Sequence, residues 1–239
     1  MRLSHTRFFR FSLTPLRGGL ALGAGLLTAL EARGQWEVGG CIGPNLATHR
    51  YQQQGQRVKE KKVLLLHLGL TSSFPLGPNI ALQPELLISQ VGTKHARPHE
   101  NTRHTHGTHT DFLQYLTLPV AMVGRIPLRR PANSHLAIGG GPYAAVLTFA
   151  ERTRKGETFA DDLNVGDEPR ADYRRFDAGM SMRAIFEYKR IFTGFTFTYG
   201  MMNIQAYGDE QTGRYTRSLS LTWGVRGHWS VKKPAPASQ

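Results

Sequence analysis

Five of the ten histidines fall in one short stretch: His95, His99, His104, His106 and His109. The pairs His104-x-His106 and His106-x-x-His109 could gather imidazoles around zinc, copper or nickel, ions that accept nitrogen ligands. A metal site also needs groups that hold each ring in place. This stretch is rich in Thr, Arg and Gly and offers no such scaffold. A solvated polar loop is the plainer account, and it becomes strongly cationic below about pH 6.5. A second group comprises Glu85, Asp177, Arg183, Glu187 and Arg226. Each lies where polar and apolar residues alternate, and each falls on the polar side. The five are expected to face a shared interior and to pair there, Arg183 and Arg226 serving as counter-charges. Hydrolysis would need a nucleophile, a base and an orienting group near an accessible rim. His67 with Ser72 or Ser73 comes nearest, but those serines approach a tight turn. The single cysteine, Cys41, excludes an intramolecular disulfide and reads as a small buried strand residue. No catalytic set and no cofactor site follow from these residues, so an enzyme is not expected.

The elements that position these groups read as strands. Segments near 35–46, 63–74, 79–93, 112–126, 135–149, 173–187, 191–205 and 216–230 have strand character. In the last of them Leu219, Leu221, Trp223, Val225 and Trp229 share one face, and Ser218, Ser220, Thr222, Gly224, Arg226 and His228 the other. In the sixth, Phe176, Ala178, Met180, Met182, Ala184 and Phe186 oppose Asp177, Gly179, Ser181, Arg183 and Glu187, with Ile185 out of pattern. The second and third alternate likewise. Strands of ten residues or more suit a tilted membrane crossing better than a soluble sandwich. Long polar connections (47–62, 94–111, 150–172, 206–215) take turns with short ones (75–78, 127–134, 188–190), the asymmetry of transmembrane barrels. Gly139-Gly140-Gly141-Pro142 breaks the alternation and predicts a bulge or kink. Aromatics gather at strand ends. Trp36, Phe74, Phe186, Tyr188, Phe192 and Trp229 are expected at one rim, and Phe112, Tyr115, Phe149, Tyr173, Phe176 and Tyr199 at the other. Lipid forbids an open sheet edge, so the strands must close. The expected fold is an all-β, antiparallel, up-and-down transmembrane barrel of about eight strands.

The N-terminus reads as an address. Residues 1–17 carry four arginines and no acid, residues 18–30 form a short apolar run, and Ala32-Arg33-Gly34 offers small residues before a cut at Gln35. The expected organisation is a secretory signal over 1–34, a barrel over 35–230 and a polar tail over 231–239. The run 18–30 is too short to span a bilayer as a helix. The formal net charge is +13, which first suggests nucleic acid or an anionic surface. Removing the signal takes five arginines and one glutamate and leaves about +9. The remaining cations gather in the connections and the tail and form no stripe with interleaved aromatics, so nucleic acid is not an expected partner. The cations of the first long connection, Arg50, Arg57, Lys59, Lys61 and Lys62, could instead touch phosphates of surface glycolipid. Outer-membrane lipid is the expected surrounding.

Five short motifs carry a family likeness: Gly39-Gly40-Cys41-Ile42-Gly43-Pro44-Asn45, Leu82-Gln83-Pro84-Glu85-Leu86, Tyr115-Leu116-Thr117-Leu118-Pro119, Gly140-Gly141-Pro142-Tyr143 and Phe176-Asp177-Ala178-Gly179. In this order the chain resembles the PorT-like outer membrane protein beta-barrel domain family. The resemblance implies an eight-stranded barrel in the bacterial outer membrane, with no catalytic residues and, in the namesake, a role beside a protein-secretion machine. Envelope or secretion proteins are therefore expected partners. Gly34-Gln35-Trp36 also imitates the entrance of lipocalins. A soluble exported lipocalin-like barrel with a small apolar ligand is the alternative, and it would require the opposite lining, apolar within and polar without.

Overall fold

Alternating parity becomes two surfaces. The computed structural model describes residues 36–53, 56–58, 61–96, 108–154, 160–166, 168, 171–206 and 213–229. The expected signal and tail, and His99, His104 and His106 of the histidine stretch, lie outside the described residues. Ten strands run in chain order: β1 (Trp36–Gln53), β2 (Gln56–Val58), β3 (Val63–Pro75), β4 (Ile80–Ala96), β5 (Thr108–Leu128), β6 (Ser134–Arg154), β7 (Ala160–Asp162), β8 (Phe176–Tyr188), β9 (Ile191–Gly200) and β10 (Gly213–Trp229). Eight of them form a closed antiparallel ring, β1-β3-β4-β5-β6-β8-β9-β10, which β10 completes by pairing with β1 from Trp36↔Trp229 to Gln52↔Gly213. The two short strands are additions outside the ring, β2 folding back on β1 and β7 lying on β6.

On the outer surface Leu64, Leu66, Leu68 and Leu70 of β3, Leu116, Leu118 and Met122 of β5, Met180 and Met182 of β8, and Phe195 and Phe197 of β9 are all exposed. Their alternate neighbours His67, Thr71, Tyr115, Ala121, Ser181 and Arg183 are buried inside. Ordinary proteins bury such apolar side chains, and a continuous exposed belt of them demands a lipid solvent. Ile185, the residue out of pattern, is also inside. It packs with Cys41, Ala81, Ala121, Val123, Ala137 and Phe192 in an apolar plug, so the lumen is not polar throughout.

The ring strands run longer than expected, up to 21 residues in β5 and β6, about twice the 9–11 that cross a bilayer. The excess projects past the belt on the side of the long connections. There, β8 begins at Phe176 and β9 ends at Gly200, short of the expected limits. Residues 171–175 and 203–205 instead turn over the barrel mouth, tied by the bridges Val165↔Tyr173 and Tyr173↔Gln205. The triple glycine does not bulge. Gly139, Gly140 and Gly141 pair in register with Arg183, Met182 and Ser181. A Cβ at Gly139 would collide with the carbonyl oxygen of Met122, so glycine here permits close strand approach. The register shift lies at Gln114/Tyr115, opposite Thr148, whose hydroxyl donates to the Gln114 carbonyl at 2.9 Å.

Candidate functional site

The lumen holds the charges, arranged in storeys. At the end of the short turns β8 contributes Glu187, which accepts from Gln83 Nε2 of β4 at 3.0 Å and from Arg226 Nη1 of β10 at 2.8 Å. Arg125 of β5 lies 3.2 Å from Glu187 Oε2 and 3.3 Å from Glu37 Oε2, and donates to Ser73 at 2.9 Å. Phe192 lies inside rather than at the rim, beneath the Arg226 guanidinium at 4.2 Å from ring centroid to Cζ.

Above the apolar plug, Arg183 makes a two-pronged pair with Glu85, Nη1 to Oε1 and Nη2 to Oε2, both at 2.9 Å. Thr71 adds a third donor to Glu85 at 3.2 Å. Both partners are almost wholly buried. A charge pair withdrawn from water is tolerable only with such geometry. Next comes a chamber lined by hydroxyls of Ser181, Thr196, Thr198, Ser218 and Thr222, with space for water over about 60 Å³. Sites for drug-sized ligands run to several hundred Å³. His67 Nε2 lies 3.0 Å from Thr222 Oγ1 in this wall. Ser72 instead points out of the lumen, donating to the Pro84 carbonyl, and Ser73 serves Arg125, so the nearest catalytic combination does not assemble.

Asp177 was expected to face an arginine. It accepts instead from Thr216 at 2.6 Å and from Tyr143 at 3.0 Å. The arginines are spent elsewhere: Arg183 on Glu85, Arg226 on Glu187, and two more on a storey that sequence reasoning missed. At the mouth, Asp111 of β5 takes Arg152 Nε at 2.6 Å, Arg152 Nη2 at 3.1 Å, Arg214 Nη1 at 3.2 Å and the Tyr173 hydroxyl at 2.6 Å. Arg214 also donates to the Tyr173 oxygen. Tyr173, expected at the outer rim, is wholly buried, as is Tyr115. Burial pushes the Tyr173 phenol above its ordinary range; Arg214 opposes that shift and Asp111 reinforces it. Below this knot, Leu113, Tyr115, Leu147, Leu163 and Ile204 form a second apolar plug. Parity could have found Asp111, which shares the inward side with Leu113, Tyr115 and Thr117. The external segments carrying Tyr173 and Ile204 have no period to read.

His109 stands half-buried on β5, opposite His95 and Arg154 in the ladders. Among the described residues no three His, Cys, Asp or Glu side chains converge on a metal position.

An eight-stranded antiparallel ring, apolar outside and filled with paired polar groups inside, defines a small integral barrel of the bacterial outer membrane. The chain belongs to the outer membrane protein beta-barrel domain family, whose pattern matches residues 24–206. No curated protein matches it in sequence. Among solved structures it is similar to Ail, the attachment invasion locus protein of Yersinia pestis, at 12% identity and a TM-score of 0.40 over 81% of this chain and 100% of that one. It is similar to Neisserial surface protein A at 6% and 0.41, over 81% and 99%. For the outer membrane protein OprG from Pseudomonas aeruginosa the values are 10% and 0.43, over 82% and 97%. The lipocalin-like alternative fails on the lining: the apolar surface lies outside and the polar one within.

Proposed function

We propose that this barrel is a closed, non-enzymatic anchor whose external surface docks an envelope or secretion protein. The observation that supports the reading is the state of the lumen. Two apolar plugs and three ionic storeys succeed one another from the short-turn end to the mouth, and the chamber between them has space for water over only about 60 Å³. A barrel of eight strands encloses little more than its own side chains. Function then falls to the surfaces outside. The strand extensions beyond the belt, braced by Asp111, Arg152, Arg214 and Tyr173, provide a stiff platform there. The likeness to PorT-like chains favours an envelope or secretion protein as its partner.

In-cell photocrosslinking tests this. A photoreactive residue at Lys61, on the side of the long connections, should give a discrete protein adduct in intact cells. The same residue at Arg129, in a short turn, should not give that adduct. If no external position yields an adduct, and removal of the protein abolishes uptake of a small solute, the docking role is wrong and the barrel is a conduit.

A further inference from the structure

The outer surface carries a feature that the sequence scatters over three segments. β9, β10 and β1 are neighbours, and their registers set Tyr199 opposite Arg217 and Arg50 opposite Tyr215. All four side chains share the outward face with Phe197, Leu219 and Leu46, which form the last apolar row beneath them. Arg50 reaches across β10, its Nη1 donating to the Tyr199 hydroxyl at 2.9 Å, and its Cζ lies 4.4 Å from the centroid of Tyr215. Arg217 packs on the same Tyr199 ring at 4.9 Å. Cations and aromatics thus do interleave, contrary to the expectation from the linear sequence. The exposed Lys62 and Lys94 stand at the same end, on the segments that continue the wall past β1.

Charge balance is the telling point. Every inward arginine described above has a carboxylate. Neither Arg50 nor Arg217 has one among the described residues: the contacts of Arg50 are the Tyr199 hydroxyl and the Tyr199 and Tyr215 rings, and that of Arg217 is the Tyr199 ring. A planar guanidinium fixed by aromatic rings at the edge of an apolar belt is pre-set to engage two oxygens of an anion such as phosphate. At that height, on the long-connection side, the anions available are the phosphates of the outer leaflet. The opposite wall differs: at this level β5 and β6 present Phe112, Phe149 and Glu151.

We infer that Arg50, Arg217, Tyr199 and Tyr215 form a binding site for the phosphate groups of outer-leaflet glycolipid, with Lys62 and Lys94 extending it. The site lies on the lipid face and takes no part in the ion pairs of the lumen, so its lipid probes can fail without the photocrosslinks failing, and the two readings are tested separately.

The test uses the full chain, purified in detergent and checked for folding by heat-shifted gel mobility. Native mass spectrometry and thermal unfolding are followed with four probes: lipid A bearing both phosphates, the same lipid stripped of phosphate, phosphatidylglycerol and inorganic phosphate. Phosphorylated lipid A should be retained and should raise the unfolding midpoint; the other three should not. The Arg50→Gln/Arg217→Gln variant should weaken retention by about tenfold or more, while Lys189→Gln, at a short turn, leaves it unchanged. Equal retention of the stripped lipid would assign the binding to acyl chains and overturn the inference. Equal protection by phosphatidylglycerol or inorganic phosphate would remove the glycolipid, and unchanged retention in the double variant would remove the site. The comparison of probes on the unaltered chain holds even if that variant fails to fold.

Discussion

Arg183 carries the sharpest prediction at the scale of single residues. Its two-pronged pair with Glu85 is dry, and removing one member strands the other. Arg183→Leu should therefore cost roughly 3–5 kcal/mol in urea unfolding from micelles. Met182→Leu, its neighbour on the lipid face, should change stability little, because a chain of similar volume and apolarity replaces it. Tyr173 supplies a second test. Its phenol is raised by burial, so the contribution is complete below the unfolded value near pH 10 and is lost as pH climbs through the folded one. Unfolding of the mouth should be insensitive to this group at neutral pH and should weaken on the alkaline side. Tyr173→Phe should lose about 1.5–3 kcal/mol at neutral pH and remove that alkaline dependence. Stability measured from pH 7 to 11 in both proteins checks the sign. The facing of Glu85, Asp177, Arg183, Glu187 and Arg226 was legible because period two is local. Their partners were not, since Glu85 and Arg183 are 98 positions apart and only ring closure brings them together.

Strands explain both what the sequence disclosed and what it hid. Belt-facing alternation in β3, β8 and β10 has one cause, lipid on one side and packed polar groups on the other, and it reads directly from the residues. The ends of the strands obey other rules. Above the belt water replaces lipid on the outer face, the outward apolar period fades, and β5 and β6 continue on their ladder and on inward contacts such as Leu113 with Ala150 and Asp111 with Arg152. The extra length of these strands was therefore invisible, as was the inward turn of residues 171–175. The triple glycine misled for a different reason. Missing side chains resemble a bulge signal, yet here they let β5 and β6 approach. Gly139→Ala should consequently weaken the barrel by about 1–3 kcal/mol through overpacking. Gly124→Ala should be nearly silent, because a Cβ there lies 3.8 Å from its nearest neighbour, the Ile138 oxygen. Heat-shifted gel mobility of the two variants, run side by side, separates them.

Over the whole molecule, closure of the sheet and closure of the lumen are one event. The ring removes every unpaired edge that lipid would penalise, and the same closure forces inward side chains from eight strands into a space that they fill. Charges there need partners, hydroxyls in the case of Asp177 and counter-charges elsewhere, and the ion pairs stack along the passage: Glu187 with Arg125 and Arg226 at one end, Glu85 with Arg183 in the middle, Asp111 with Arg152 and Arg214 at the mouth. A sealed lumen is the central claim, and reconstitution of the full chain into planar bilayers tests it most directly. The account predicts a silent membrane under applied voltage, with no reproducible unitary steps. Steady single-channel conductance of porin size would contradict it, because no solute could pass those storeys as they stand.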